Sequence, residues 1–257
     1  MPTPVIEFSL LDRLRSAHHW VVFTGAGVSA ESGIPTFRDK QTGLWERFAA
    51  HELATPEAFH RDPALVWGWY EWRRALVLRA QPNPAHVAIA QLATLVPQLT
   101  LITQNVDDLH ERAGSVNVLH LHGELMRARC ERCRQHFPYP TEMPAIPEGG
   151  ARIEPPVCTQ CGARIRPGVV WFGETLPERE WLTARTAANQ CDALLCIGTS
   201  SLVQPAASLT RLAIARGAIT VQINPNVTNI DDEVTCSLRG RAGEMVPELI
   251  EQLRAMI

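Results

Sequence analysis

Residues 20–39 read Trp20-Val21-Val22-Phe23-Thr24-Gly25-Ala26-Gly27-Val28-Ser29-Ala30-Glu31-Ser32-Gly33-Ile34-Pro35-Thr36-Phe37-Arg38-Asp39. An apolar run of strand character delivers the chain into a loop of small residues. Gly25 and Gly27 lack the side chains that would hold a phosphate away. Backbone N–H groups can then point at a pyrophosphate, and the start of the next helix adds its positive dipole end. The pattern is G-x-G-x-x-A, and no acidic residue about twenty positions further on is clearly placed for a ribose. A purely structural tight turn has the same composition, so the motifs elsewhere in the chain decide between the two. A dinucleotide is the ligand this segment favours.

Working outward, the same arrangement recurs. The apolar runs Leu99–Thr103, Asn117–Leu121, Val169–Phe172, Ala193–Ile197 and Ile219–Ile223 read as strands, with helical stretches between them. Each leads into a polar or glycine-containing motif: Gln104-Asn-Val-Asp107, His122-Gly123, Gly173-Glu174, Gly198-Thr-Ser200 and Asn224-Pro-Asn226. Short buried strands alternating with helices imply an α/β fold, a doubly wound and mostly parallel sheet covered on both faces. In such sheets ligands bind at the carboxyl edge of the strands, where these motifs fall.

The 257 residues are 46% hydrophobic and 20% charged, ordinary for a globular protein with a substantial core. No apolar stretch reaches the roughly 18 residues that span a bilayer, and Met1–Glu7 has no secretory pattern, so a cytoplasmic protein is expected. A net charge of −3 gives no general reason to expect nucleic acid or membrane as a partner. Lys40 is the one lysine among 24 basic residues, a bias that a GC-rich genome explains.

Two segments interrupt the alternation. Residues from about 40 to 83 read as helical; Asp62-Pro63 starts a helix that runs through Trp67, Tyr70 and Arg73 to Leu78, and the Pro82-Asn83-Pro84 cluster is its stop. Residues from about 126 to 167 are rich in Cys, Pro, Gly and Arg and too poor in aliphatics to build a core alone. Cys130-x-x-Cys133 and Cys158-x-x-Cys161, separated by 24 residues, supply two thiolate knuckles that complete a tetrahedron around one structural Zn²⁺; redox-active pairs are the alternative. Four thiolates leave no open coordination position. Cys191, Cys196 and Cys236 read as core residues.

Gln104, Asn105 and Asp107 offer amide and carboxylate groups suited to a nicotinamide carboxamide. His122 offers an imidazole suited to taking a proton from a ribose hydroxyl, with His120 a competing candidate at the same strand end. Taken in order, Gly25–Arg38, Thr103-Gln-Asn-Val-Asp107, His122-Gly123, the two C-x-x-C pairs, Trp171-Phe-Gly-Glu174, Gly198-Thr-Ser200 and Ile223-Asn224 resemble the sirtuins, the NAD-dependent protein lysine deacylases. The resemblance runs from about residue 12 to 250.

That resemblance implies a Rossmann-like NAD-binding domain (1–39, 84–125 and 168–257), a helical module (40–83) and a zinc-binding module (126–167). It implies that Gly25, Ala26, Gly27, Ser29, Ala30, Phe37 and Arg38 hold the pyrophosphate and close over the nicotinamide end. Gln104, Asn105, Val106 and Asp107 would serve the nicotinamide ribose and carboxamide, and Gly198, Thr199, Ser200, Asn224, Pro225, Asn226 and Ala242 the adenosine half. The acyl oxygen would capture ribose C1′ as nicotinamide leaves, with Asn105 and Asp107 weakening the glycosidic bond and His122 acting as general base. NAD is consumed, giving nicotinamide and an O-acyl-ADP-ribose. Val170, Phe172, Gly173 and Glu174 would receive an acyl-lysine protein or peptide as an added strand.

Acyl choice is addressed by Ala54, Tyr70 and Arg73. Tyr70 and Arg73 share a helix face, where a guanidinium beside a phenol clamps a carboxylate; an aromatic amphipathic helix with solvated arginines is the plainer alternative. The subgroup of sirtuins that removes succinyl, malonyl and glutaryl groups has Tyr-x-x-Arg at this position and a small residue sixteen positions earlier, as Ala54 is here. The expectation is therefore a deacylase preferring acidic acyl groups with residual deacetylase activity; a monomer is favoured, though nothing in the sequence fixes the oligomeric state. A plain deacetylase or ADP-ribosyltransferase, or an NAD-sensing reader of acylated tails, are the rivals.

Overall fold

His19–Thr24 form strand β1, and all six residues are buried, as a strand at the centre of a doubly covered parallel sheet requires. The computed structural model describes residues 6–36, 46, 48–139, 145–147 and 149–256. Around β1 lie β2 (Gln98–Thr103), β3 (Leu119–His120), β7 (Ala193–Ile197), β8 (Ile219–Ile223) and β9 (Cys236–Leu238), all parallel, in the order β3-β2-β1-β7-β8-β9. The direction of strand addition reverses between β1 and β7, which makes their carboxyl ends the topological switch point.

Alternation along β1 serves both faces. Trp20 and Val22 join a core with Leu11 and Leu14 of α1 (Phe8–Arg15), Ile89 and Leu92 of α5 (Pro84–Leu95), and Leu249 and Leu253 of α9 (Ala242–Arg254). Val21 and Phe23 join the opposite core with Ala184 and Ala188 of α7 (Glu178–Gln190) and Leu209 and Ala213 of α8 (Ser208–Ala215). Among the described residues no helix is long and apolar enough to cross a membrane.

A third core sits beside the sheet. It joins helices α2 (Ala50–Leu53), α3 (Pro56–Arg61) and α4 (Pro63–Arg79) to an antiparallel sheet of β4 (Gly123–Cys130), β5 (His136–Phe137) and β6 (Ile165–Val169), in the order β5-β4-β6. Phe59, Trp67, Trp69 and Tyr70 pack with Leu125, Ala128, Cys130, Ile165 and Trp171, so the helical and cysteine-bearing segments share one interior. Asp62 caps α4 by accepting from the Leu65 amide at 3.1 Å and also receives both Nη atoms of Arg152 at 2.7 Å. Tyr139 donates to the buried Glu71 carboxylate, and the Ile153 amide donates to the Ala64 carbonyl at 3.0 Å. Tyr139, Arg152 and Ile153, which lie between the cysteine pairs in sequence, are thereby held along α4.

The structure departs from the sequence reading in several places. Only Leu119–His120 of the expected run 117–121 is strand, because Asn117 takes a left-handed φ of 55°. The run 169–172 is not a further parallel strand: Val169 ends β6 in the small sheet, and residues 171–174 turn back, with the Glu174 amide donating to the Trp171 carbonyl at 3.0 Å. After the glycine loop come two 3₁₀ turns, Ala26–Val28 and Ala30–Ser32, not an α-helix, so the dipole available there is that of a single turn. Helix α4 ends at Arg79; Asn83 instead caps α5, accepting from the Ala85 amide at 2.9 Å. Cys191 and Cys196 are core residues, whereas Cys236 is half-buried on the edge strand β9. Helix α6 (Leu109–Arg112), which carries two of the site's neighbours, has no counterpart in the sequence reading.

Candidate active site

The loops after β1 and β7 meet at the switch point. The Gly25 amide donates to the Ile197 carbonyl at 3.0 Å and the Gly27 amide to the Gly198 carbonyl at 2.8 Å. A Cβ on Gly25 would lie 2.8 Å from Thr199 Cα, and one on Gly27 would lie 2.7 Å from Gly198 Cα. These glycines therefore permit two backbone loops to touch, and their own amides are committed to that contact rather than aimed outward. Ala26 is half-buried and Ala30 exposed on the rim. Phe37 and Arg38 lie outside the described residues.

Across the loop contact, Gln104 Nε2 donates to Thr199 Oγ1 at 2.8 Å and Asn224 Nδ2 to the Thr199 carbonyl at 2.9 Å. Ser200 is half-buried beside them, while Pro225 and Asn226 are exposed beyond β8. Ala242 does not line this opening with its side chain. It is buried in the core at the start of α9, where the Gly243 amide donates to Glu31 at 2.7 Å.

Beneath the loops is a polar cluster. Ser29 Oγ donates to Asp107 Oδ2 at 3.0 Å and accepts from Asn105 Nδ2 at 3.0 Å, while the Leu109 amide donates to Asp107 Oδ1 at 3.2 Å. Burial pushes the Asp107 carboxyl above its ordinary range, against the hydrogen bonds from Leu109 and Ser29. Asn105 Oδ1 and the remaining lone pairs of Asp107 form a set of acceptors suited to the two N–H groups of a primary amide. Val106 is half-buried and its carbonyl accepts from the Leu125 amide at 2.8 Å, tying this loop to β4.

The two candidate histidines have opposite states. His120 donates from Nδ1 to the Asn105 carbonyl at 3.0 Å and from Nε2 to Glu111 at 2.7 Å, so both ring nitrogens carry protons. Burial opposes that charge, but Glu111 and the Asn105 carbonyl outweigh it and raise the pKa. His120 is a paired cation, not a base. His122 donates Nδ1–H to the Gln104 carbonyl at 2.9 Å, which leaves Nε2 with the lone pair, and burial lowers its pKa. The turn that presents it needs Gly123, whose φ is 75° and whose Cβ would lie 2.2 Å from the Gly168 carbonyl. The His122 carbonyl is in turn fixed by the Val170 amide at 2.8 Å.

Two further histidines escaped the sequence reading. His110 meets Thr24 Oγ1 at 3.0 Å, and the His86 ring packs edge-on against it with centroids 4.9 Å apart. Burial drives His86 to about 4 and His110 to about 3, so both are neutral at physiological pH, with His86 Nε2 meeting Ser29 Oγ at 3.4 Å. The cue for His86 was its place three residues after the helix-capping Asn83, whose amide donates to His86 Nδ1 at 3.3 Å.

Of the three residues expected to choose the acyl group, Ala54 and Tyr70 lie in the third core, and Arg73 follows Tyr70 by one turn of α4. Tyr70 and Arg73 are only 2% and 8% exposed, which rules out solvated arginine as the reading of Arg73. Burial depresses the Arg73 pKa, while Tyr70 and Asp107 lie close enough to favour its charge. Buried Ala54 accepts from the Phe172 amide at 2.9 Å through its carbonyl, which joins α2 to the turn after β6. Phe172 is exposed and Gly173 has a φ of 86°. Glu174 faces inward: Arg166 donates to it at 2.5 and 2.9 Å and the Trp171 amide at 2.8 Å. Its carboxylate holds this turn.

The four knuckle cysteines converge, with all sulfurs within 4.8 Å of one another and the pairs Cys130–Cys161 and Cys133–Cys158 at 3.4 and 3.7 Å. A tetrahedral Zn²⁺ with bonds of about 2.3 Å has sulfur–sulfur edges of about 3.8 Å, so the donor set fits. Such a site is structural, since the protein closes it.

Residues 25–205 match the family described as "Sir2 family". An "NAD-dependent protein deacylase" of Methylococcus capsulatus is 59% identical over 97% of this chain and 98% of its own length. An "NAD-dependent protein deacylase 1" of Pseudomonas aeruginosa is 54% identical over 95% of this chain and 98% of its own. A crystal structure described as "a Sir2 homolog-NAD complex" superposes with a TM-score of 0.90 at 47% identity, covering 99% of this chain and 96% of that one. The chain belongs to the Sir2 family, the sirtuins.

Proposed function

We propose that the protein is an NAD-dependent protein lysine deacylase that prefers acidic acyl groups, succinyl and malonyl foremost. NAD is a consumed co-substrate lying across the β1–β7 switch point, and nicotinamide and an O-acyl-ADP-ribose leave. Asn105 and Asp107 take the carboxamide through the acceptors that Ser29 and Leu109 orient. His122 Nε2 takes a proton from a ribose hydroxyl; with Nδ1–H held by Gln104, the lone pair is available near neutral pH. The family relationship and the named relatives support the deacylase part of this reading.

The acyl preference rests chiefly on one observation, the burial of the Arg73 guanidinium within electrostatic reach of Tyr70, one helical turn away on α4. A cation in such low-dielectric surroundings attracts an anion more strongly than it would in water, and an acyl carboxylate fits a guanidinium and a phenol together. Bound peptide would run along the turn of Val170, Phe172 and Gly173, and its main-chain bonding would leave flanking sequence lightly constrained. The test is product analysis by mass spectrometry with NAD and matched succinyl-, malonyl-, acetyl- and unmodified-lysine peptides. Release of nicotinamide and O-succinyl-ADP-ribose is expected. Transfer of ADP-ribose to the unmodified peptide, or turnover of acetyl-lysine alone, would contradict the proposal.

A further inference from the structure

Trp171 lies 101 positions from Tyr70 in sequence, and its indole Nε1–H donates to the Tyr70 hydroxyl at 2.9 Å between two buried rings. An indole N–H can only donate, so the Tyr70 oxygen is the acceptor in this bond. The hydroxyl's own proton is thereby turned away from the indole. The rotation that would turn the O–H toward Trp171, and a lone pair toward an incoming carboxylate, is disfavoured.

Trp171 is itself held from several sides. The Arg166 guanidinium lies over its ring, 3.4 Å from the centroid. Arg166 is forked on Glu174 and also donates to the Val169 carbonyl at 3.0 Å. The Trp171 amide donates to the same Glu174 carboxylate at 2.8 Å, and Phe59 packs against the ring with centroids 5.3 Å apart. Burial works against the Glu174 charge, but Arg166 and the Trp171 amide hold its carboxyl below the ordinary range, so the anchor is ionised at neutral pH. A continuous chain thus runs Glu174–Arg166–Trp171–Tyr70, and Arg73 lies one helical turn beyond.

We infer that Trp171 is a positioning residue for acyl selection: it fixes the Tyr70 hydroxyl as a hydrogen-bond donor facing the acyl terminus, with Glu174 and Arg166 fixing Trp171. Preference for a carboxylate then depends on a residue that does not itself meet the acyl carboxylate. The inference rests on the proposed preference for acidic acyl groups.

The test is Trp171→Phe, which keeps an aromatic ring and deletes the donor, together with Tyr70→Phe and the double variant. Losing one oriented hydrogen bond to a charged group is expected to raise the KM for succinyl-lysine peptide about tenfold relative to that for acetyl-lysine peptide, with kcat moving less than KM. In the Tyr70→Phe background the same substitution should change the succinyl-to-acetyl KM ratio by less than about twofold, because the hydroxyl it orients is gone. If Trp171→Phe lowers the melting temperature, site-specific replacement of Trp171 by 3-benzothienylalanine keeps the shape and removes only the N–H. Equal rises in KM for both peptides, or effects of the two substitutions that multiply independently, would overturn the inference. A wild type that prefers succinyl-lysine with a Trp171 variant whose preference is undiminished overturns the inference alone. A wild type without that preference overturns the acidic-acyl proposal as well.

Discussion

Replacing Arg73 by Met is expected to separate the proposed acyl recognition from catalysis. Met keeps an unbranched apolar stem on α4, so the packing against Trp69, whose ring centroid lies 5.1 Å from the guanidinium carbon, is largely retained. What is lost is the cation. A hydrogen bond to a charged group contributes about 1.5–3 kcal/mol, and Tyr70 remains as a second donor, so a loss of about 3 kcal/mol for a carboxylate-bearing acyl group is reasonable. That corresponds to about a hundredfold in kcat/KM, appearing mainly in KM because the contact is made before any bond breaks. Acetyl-lysine has no carboxylate and escapes this loss. Arg73 also lies within electrostatic reach of Asp107, so its removal imposes a shared penalty on NAD handling. The ratio between substrates cancels that penalty. The assay is nicotinamide release with matched succinyl- and acetyl-lysine peptides at saturating NAD, with melting temperatures measured alongside. An equal fall for both peptides in a folded variant would refute the carboxylate clamp.

His122→Tyr should abolish turnover of both peptides while leaving the melting temperature close to wild type, since a phenol cannot act as a base near neutral pH; retained turnover would reassign the base. As the proposed base, His122 must be unprotonated, and burial lowers its pKa, so activity is expected to fall on acidification only below the ordinary histidine value of 6.5. A kcat/KM profile whose acid limb lies above that value would contradict the assigned state of His122. Removing zinc with a chelator should abolish turnover of all acyl-lysines alike, because Tyr139 and residues 151–153 bind the cysteine-bearing segment along the helix that carries Tyr70 and Arg73. Retained selectivity after complete metal loss, verified by metal analysis, would show that the shared core stands without zinc.

The centre of the parallel sheet was legible because β1, β2, β7 and β8 are short, largely buried apolar runs that end in glycine or polar motifs, whereas the half-buried edge strand β9 carries no such signal. The cysteine knuckles were legible because thiolate spacing is a local property. Where the reading failed, the deciding contacts were specific polar and backbone pairings, some only a few residues apart and others far along the chain, that periodicity and composition do not encode. Residues 169–172 have the composition of a buried strand, but Glu174 folds back onto Arg166 and the Trp171 amide, and no local pattern reveals that pairing. His120 and His122 are equivalent in sequence; the Glu111 carboxylate and the Gln104 carbonyl divide their roles. Gly25 and Gly27 read as a phosphate cradle, yet the backbone they accommodate belongs to Gly198 and Thr199, over 170 residues away. The small residues were necessary in either case, which is why the motif announced itself while its contact did not.

The most direct test is the ratio of kcat/KM for succinyl-lysine to that for acetyl-lysine in one peptide sequence, measured on the wild-type protein with NAD. A buried Arg73–Tyr70 pair engaging the acyl carboxylate is expected to give a ratio above one that collapses about a hundredfold in Arg73→Met. A ratio below one in the wild type, unchanged by that substitution, would contradict the assignment of this pair to acyl recognition.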